Sequence, residues 1–194
     1  MKVKEPTIAY QSKSKPFTYQ DYALLPDDGQ LHQVIHGELI MTPSAITKHQ
    51  KIVGKLYALM LMYVESNHLG EIYPAPLDVV LDDFNIVQPD ILFISNKNNK
   101  IIGEKNIQGA PDLVVEILSP STGYYDLVSK KDLYAHHGVK EYWIVDPKEQ
   151  WIEIFENTGK GFITKIKVTE KGEVFSTVLT GLAINLEAIF SSNF

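Results

Sequence analysis

The fold of this 194-residue chain is constrained most by residues 111–147, which read PDLVVEILSPSTGYYDLVSKKDLYAHHGVKEYWIVDP. Two mostly apolar runs, 112–118 and 140–146, flank a segment with helical spacing that ends at Gly138 and that Ser121 or Thr122 is expected to cap. A buried strand, a helix and a second buried strand form a βαβ unit, whose strands run parallel. The stretch therefore predicts a sheet covered by helices.

Glu116 interrupts the first of these strands, and Asp90 interrupts another apolar run, IVQPDILFI. A carboxylate in a low-dielectric interior costs several kcal/mol unless it is neutralised, paired or bound to a metal. One interpretation is structural, with each acid capping a turn or pairing with a basic side chain. The other is a shared divalent cation, since Mg²⁺ is typically held by one or two carboxylates.

Asp112 is a third acid in the same region, four residues before Glu116 on one strand face. At about 3.3 Å per residue, the two lie roughly 13 Å apart. That separation is too long for one ion, so Asp112 is interpreted as the start of the strand.

Two lysines in the helix of the βαβ unit are candidates to neutralise these acids. A straight helical wheel places Lys131 near the middle of the apolar face and Lys130 at its edge. The more common arrangement is that such a lysine extends along the apolar surface to solvent. Alternatively, one ammonium reaches over the sheet to the carboxylates, where it offsets charge that develops on a phosphoryl group.

The remaining chain predicts a flexible N-terminal tail, residues 1–16, followed by a single domain, residues 17–194. The expected elements are a short helix within 17–29, a hairpin turning at His36–Gly37, a long helix from Ser44 (its N-cap) to about Ser66, and a hairpin of 71–81 with 86–95 around DDFN. From the long helix onward the order is α, β, β, β, α, β. The predicted class is α/β or α+β, with a mixed sheet flanked by helices.

The C-terminal part alternates apolar and polar residues, as antiparallel strands with one solvent-exposed face do. Trp151, Ile152, Ile154 and Phe155 lie near one edge of this extension. Because exposed edges are normally covered, these strands are expected to extend the sheet or to support a homodimer.

Composition and motifs limit the kinds of metal site and catalytic chemistry that the chain can have, and they indicate where the protein is located. The chain has no cysteine, which excludes disulfides and sulfur-ligated zinc, so any metal is held by oxygen or imidazole. No HExxH, GxxxxGK[ST] or GxSxG motif occurs. No apolar run reaches the ~20 residues that span a bilayer, and the first residues lack the apolar core of a signal peptide. A cytoplasmic location is expected.

The net charge of -6 argues against a broadly basic nucleic-acid surface. Affinity for nucleic acid must then come from local clusters of basic residues, namely Lys48, His49, Lys51 and Lys55 together with Lys130 and Lys131.

Four segments carry a resemblance to a known family: HGELIMTPSAITKHQKI, VQPDILFIS, PDLVVEILSPST and SKKDLYAHHGVKEYWIVDP. They resemble the Uma2 family of restriction-endonuclease-like proteins, a branch of the PD-(D/E)xK nuclease superfamily, over residues 19–168. The order α, β, β, β, α, β is also the core of that superfamily. The resemblance implies a restriction-endonuclease-like fold with extra N- and C-terminal antiparallel strands.

The resemblance also implies roles for single residues. Asp90 and Glu116 are similar to the two acids that bind metal, Mg²⁺ or alternatively Mn²⁺. The superfamily's lysine, two residues after the second acid, is replaced here by Leu118, and the family pattern moves this lysine to Lys130. Glu38 resembles an auxiliary acid, although a Gly-Glu beside a turn is as well explained by structure.

The implied function is that of a metal-dependent endonuclease that hydrolyses phosphodiester bonds in DNA. Lys130 would help to position the attacking water and offset negative charge, so Lys130→Ala is expected to lower turnover and leave folding nearly intact. The alternative is a noncatalytic nuclease-fold module that binds protein or nucleic acid, its acids paired internally with Lys130 or Lys131. The net charge and Leu118 favour that alternative modestly.

Overall fold

The structure is a computed structural model that describes residues 15–26, 29–42, 44–119 and 125–191, without the side chains of residues 125 and 126. The predicted tail, up to residue 14, and the expected cap at Ser121 or Thr122 lie outside these residues. Within these ranges, no helix has the length and apolar character needed to cross a membrane.

The central element is a six-stranded mixed sheet. In spatial order its strands are β11 (Phe162–Thr169), β10 (Trp151–Asn157), β9 (Glu141–Asp146), β8 (Leu113–Ile117), β6 (Ile91–Ser95) and β3 (Gly70–Pro74). β8 and β9 are parallel, and the other neighbouring pairs are antiparallel. A π-helical turn (Tyr125–Ser129) and helix α3 (Lys130–His137) lie between β8 and β9, so the predicted βαβ unit is confirmed.

A second sheet has five strands, which in spatial order are β2 (Glu38–Thr42), β1 (Leu31–Ile35), β5 (Asn85–Val87), β4 (Val79–Asp82) and β7 (Ile107–Gln108). A separate pair near the C-terminus consists of β12 (Glu173–Phe175) and β13 (Ala183–Asn185). The predicted hairpin at His36–Gly37 is confirmed, and both turn residues have positive φ, 53° and 75°. This geometry allows a two-residue turn to join antiparallel strands.

Three further helices complete the described chain: α1 (Tyr19–Ala23), α2 (Thr47–Ser66) and α4 (Leu186–Phe190). A 3-10 turn covers Asn99–Ile101. Thr18 and Asp21 form a reciprocal capping box at the start of α1. The expected N-cap at Ser44 is wrong, because α2 begins three residues later and Ile46 is its N-cap.

The six-stranded sheet is covered on both faces. Leu56 and Met60 of α2 and Ile189 of α4 pack on one face, against buried residues that include Val115 and Trp143. On the other face, α3 and the five-stranded sheet pack together in the second apolar cluster. A strand buried on both faces reads as a nearly continuous apolar run, as β8 does apart from Glu116.

The predicted antiparallel pairing of 71–81 with 86–95 around DDFN is confirmed, but the two runs are divided between two sheets. β3 pairs with β6 in the six-stranded sheet, whereas β4 and β5, which lie between them in sequence, pair in the five-stranded sheet. Pro76 and Pro89 stand at the two crossing points. A proline has no N–H to continue a ladder, so each run divides there into two strands of different sheets.

The α+β class and the order α2, β3, β6, β8, α3, β9 of the core agree with prediction. β10 and β11 extend the six-stranded sheet, which is the first of the two expectations for the C-terminal part. Ile152, Ile154 and Phe155 are buried within that sheet's cores rather than exposed at an edge.

Candidate active site

The candidate site lies where β8 runs past the first residue of β6. The last described register pair is Ile91 with Val115, so the N–H and C=O of Ile117 point to a place where β6 has ended. Side chains take the place of the strand. Asp90 Oδ2 accepts the Ile117 N–H at 2.7 Å, and His49 Nε2 lies 3.0 Å from the Ile117 carbonyl oxygen. Because a carbonyl only accepts, His49 Nε2 carries a proton and donates it.

The same nitrogen of His49 also contacts Asp90, with 3.2 Å between Nε2 and Oδ2. His49 is buried in the first turn of α2, whereas 17% of the Asp90 side chain is exposed. Two oxygens, one from Asp90 and the carbonyl oxygen of Ile117, therefore converge on one N–H group at the solvent side of the strand end.

Glu116 precedes Ile117 and points into the interior. Its Oε1 accepts hydrogen bonds from Lys130 Nζ at 2.9 Å and from the Tyr134 hydroxyl at 2.7 Å. All three residues are at most 3% exposed. Lys130 and Tyr134 are one helical turn apart on α3, so a single face of that helix supplies both donors. The charge of the buried acid is thus compensated by a cation and a hydroxyl.

Lys131 does not share this arrangement: its Nζ lies 3.6 Å from the centre of the Phe155 ring. The helical wheel that favoured Lys131 is wrong, because it assumes a straight α-helix through residues 125–129. Those residues form a π-helical turn, which holds more residues than an α-turn and therefore shifts the angular positions of the residues in α3.

The two acids are approached from opposite faces of the sheet. Lys130 and Tyr134 come from α3 on one face, and His49 comes from α2 on the other. Among the residues that the structure describes, no three His, Asp or Glu side chains cluster in a way that could hold a metal. The sharing of one ion by Asp90 and Glu116 stays a prediction.

The chemistry of the donors fits a hard divalent cation. Asp90 and Ile117 offer two oxygens that already share one positively polarised partner, and Glu116 offers a carboxylate one residue away. Oxygen ligands from carboxylates and backbone carbonyls are those that Mg²⁺ and Mn²⁺ prefer.

Two other acids named from the sequence lie elsewhere. Glu38 is exposed at the start of β2, in the five-stranded sheet. Asp112 is buried, accepts the Ser95 N–H at 2.7 Å and contacts Lys140 Nζ at 2.5 Å. Burial alone would raise the pKa of Asp112, but Lys140 and the Ser95 N–H outweigh it and hold this pKa below its usual range. Asp112 therefore anchors the start of β8, in keeping with its interpretation as a strand boundary.

The proposed basic cluster is not available as a unit for phosphates. His49 and Lys130 are buried, and Lys131 lies over Phe155. Lys55 Nζ donates to backbone carbonyls at the end of α4, those of Ala188, Ile189 and Ser191. Lys48, by contrast, is exposed near the N-terminus of α2.

Sequence reasoning missed two residues that contact the candidate acids. Tyr134 could have been found from its i, i+4 spacing to Lys130. His49 was considered only as part of the basic cluster. Its contact with Ile117 joins residues 68 positions apart in sequence, and its contact with Asp90 also joins distant segments, which no local pattern shows.

Comparisons with known proteins agree with this fold. The chain is similar in structure to a "putative nuclease belonging to DUF820" from Anabaena variabilis, with a TM-score of 0.75, 20% sequence identity, and coverage of 91% of this chain and 98% of that chain. At this identity the likeness concerns the fold alone. No curated protein matches the sequence. Residues 19–187 match the Uma2 family, described as "Putative restriction endonuclease". This match spans most of the chain, which therefore belongs to the Uma2 family.

Proposed function

We propose that this protein is a metal-dependent endonuclease that hydrolyses phosphodiester bonds in DNA. The observation that carries the proposal is the arrangement at the end of β8. There a buried Glu116 paired with Lys130 directly precedes Ile117, whose N–H binds the partly exposed Asp90, in a chain of a nuclease-like family. Acids and a lysine at one strand end are the groups that phosphodiester hydrolysis needs.

Asp90, Glu116 and the carbonyl of Ile117 would hold the cation, Mg²⁺ or Mn²⁺. When bound, such a cation lowers the pKa of water and stabilises negative charge on the phosphoryl oxygens. Lys130 would offset charge on the phosphate, since its ammonium is already positioned within 2.9 Å of Glu116 Oε1. Tyr134 would keep the Glu116 carboxylate in place by its hydrogen bond.

A noncatalytic nuclease-fold module is the second candidate. It is favoured by the contacts that each acid already makes: Lys130 and Tyr134 donate to Glu116, the Ile117 N–H donates to Asp90, and His49 Nε2 lies 3.2 Å from Asp90 Oδ2. Acids satisfied in this way need no metal to remain buried. The two candidates differ in whether a divalent ion binds and whether DNA is cut.

Cleavage of supercoiled plasmid, single-stranded DNA and RNA with Mg²⁺ or Mn²⁺ tests the proposal. Wild-type protein is expected to cut DNA, and Glu116→Ala and Asp90→Ala are expected to lose cleavage by two or more orders of magnitude. Glu38→Ala serves as a matched control, because it removes an exposed acid outside these contacts. Cleavage that survives in both Asp90→Ala and Glu116→Ala would exclude this site, and absence of cleavage and of metal binding in wild type would favour the module.

The proposal includes a homodimer, for which the exposed edge at β11 is the candidate surface. β11 is one of the two outer strands of the six-stranded sheet, and Ile163 on it is 53% exposed. An edge strand of this kind is normally covered. Light scattering at micromolar concentration is expected to give the mass of two chains, and the mass of one chain would remove the dimer.

A further inference from the structure

The imidazole of His49 lies where two of the proposed metal-binding oxygens converge. Its Nε2 is 3.0 Å from the Ile117 carbonyl oxygen and 3.2 Å from Asp90 Oδ2. An N–H group and a cation bind to the same lone pairs of such oxygens, because each presents positive charge to them. The imidazole and a metal ion cannot both fill this position.

The two oxygens do not depend on His49 for their placement. Asp90 Oδ2 is also held by the Ile117 N–H at 2.7 Å. The Ile117 carbonyl belongs to β8, which is fixed by its pairing with β9 and by the hydrogen bond from Leu118 N to the Val145 oxygen at 2.8 Å. Removing the imidazole would therefore leave the oxygens in place but without this donor.

We propose that His49 occupies the cation position as a competitor, so that a divalent ion must displace its Nε2–H from Asp90 and Ile117 in order to bind. This inference rests on the proposed metal-dependent function. His49 thereby sets the metal concentration at which the site fills, and it stabilises the strand end when no ion is bound.

A direct titration with Mn²⁺ at one fixed pH, followed by the electron paramagnetic resonance signal of the free ion, tests this competition. His49→Leu removes the donor and keeps apolar bulk. It is expected to bind Mn²⁺ about tenfold more tightly than wild type, the effect of losing one competing hydrogen bond to a charged group. His49→Gln, which can place an amide N–H near the position of Nε2, is expected to bind as wild type does. Gln50→Ala, at an exposed position on the same helix, is the control.

Thermal unfolding gives a second readout that does not need activity. Without metal, His49→Leu is expected to melt below wild type, because the Ile117 carbonyl loses its donor. Saturating Mn²⁺ is expected to raise its melting temperature by more than it raises that of wild type. If His49→Leu does not fold, the pair His49→Asn and His49→Gln replaces it, since asparagine is too short to restore the contact.

The outcomes separate this inference from the proposed function. Weaker or equal Mn²⁺ binding in the donor-free variant, with binding in wild type, would overturn the role of His49 and leave the nuclease proposal standing. Absence of binding in both proteins would overturn both. Tighter binding that Asp90→Asn abolishes supports both.

Discussion

Glu116 and Glu141 are both buried acids on the neighbouring parallel strands β8 and β9, with exposures of 3% and 0%. Their partners differ in kind. Glu116 relies on an ammonium and a phenol supplied by one helix face, whereas the donors to Glu141 among the described residues are neutral and come from two chain segments, β9 and 176–178. In the amino-acid sequence both are carboxylates of largely apolar strands, Glu116 within β8 and Glu141 at the first position of β9.

The neutral donors saturate Glu141. They are the Trp143 indole N–H, the hydroxyls of Ser176 and Thr177, and the backbone N–H groups of Thr177 and Val178. This network ties the segment between β12 and β13 to β9. A carboxylate whose oxygens accept this many hydrogen bonds from preorganised neutral donors needs no cation to be buried.

The difference teaches that burial of an acid does not by itself mark a functional site. What matters is whether the compensating group can be exchanged. The Lys130 ammonium is a cation on a flexible side chain, so a metal ion could take over part of its role beside Glu116. Glu141 accepts five hydrogen bonds from neutral donors, and none of these donors is a cation that a metal ion could replace. Substitutions of Lys130, Glu141 and Tyr134 test this distinction, in order of decreasing effect.

Lys130→Met is expected to have the largest effect on stability, about 3–5 kcal/mol, because it leaves a buried carboxylate without its cation. The sequence-based expectation that folding would stay nearly intact without Lys130 took no account of this burial. Lys131→Met is the matched control and should cost less than about 1 kcal/mol, since it removes only a contact with the Phe155 ring. Urea unfolding of both variants measures the difference.

Unfolding of Lys130→Met in the presence of Mn²⁺ tests this account further. If Glu116 can exchange one cation for another, saturating Mn²⁺ should restore part of the stability that Lys130→Met loses. Two variants with equal, small losses in urea would contradict the account of Glu116 as an acid that depends on Lys130.

Glu141→Gln is expected to destabilise the protein by about 3 kcal/mol, because its amide N–H₂ group turns toward donors and leaves two of them unsatisfied. Mn²⁺ should not restore this loss, and the folded fraction should cleave DNA as wild type does. Denaturant unfolding with and without Mn²⁺, together with cleavage well below the melting temperature, tests both points. Loss of cleavage in a fully folded Glu141→Gln protein would show that the two acids are not distinct in role.

The sequence allowed prediction of the parts of the fold that depend on local pattern. The apolar runs around Glu116, the helix stop at Gly138 and the hairpin at His36–Gly37 are each set by neighbouring residues, and each was found. The five-stranded sheet was not, because pairing of β1 with β5 and of β4 with β7 joins distant segments. Nothing in the periodicity of these short strands specifies a partner.

In the candidate site, too, local sequence predicts one part, whereas the other part depends on contacts between distant segments. Glu116 and both candidate lysines lie in one continuous βαβ unit, so a lysine of the helix near Glu116 could be expected from the sequence, whereas the choice of Lys130 came from the family resemblance. Asp90 acts at the end of a different strand and with His49 from α2, in an arrangement that depends on where β6 stops. The π-helical turn before α3 has no recognisable periodic pattern in the sequence, and it is the reason why the helical wheel favoured Lys131 over Lys130.

Tyr134→Phe is expected to give the smallest of the three effects, a loss of about 1.5 kcal/mol, because one hydrogen bond to a charged, buried acceptor is removed and the ring remains. Tyr63→Phe is the matched control: it removes a hydroxyl that donates to the Thr180 carbonyl, a neutral acceptor at an exposed place, and should cost less. A double-mutant cycle with Glu116→Gln isolates the contact, since the Tyr134 hydroxyl should be worth less once its acceptor is uncharged. Additive losses in that cycle would show that the contribution of the Tyr134 hydroxyl does not depend on the charge of Glu116, and Glu116 would then depend on Lys130 more heavily than the geometry indicates.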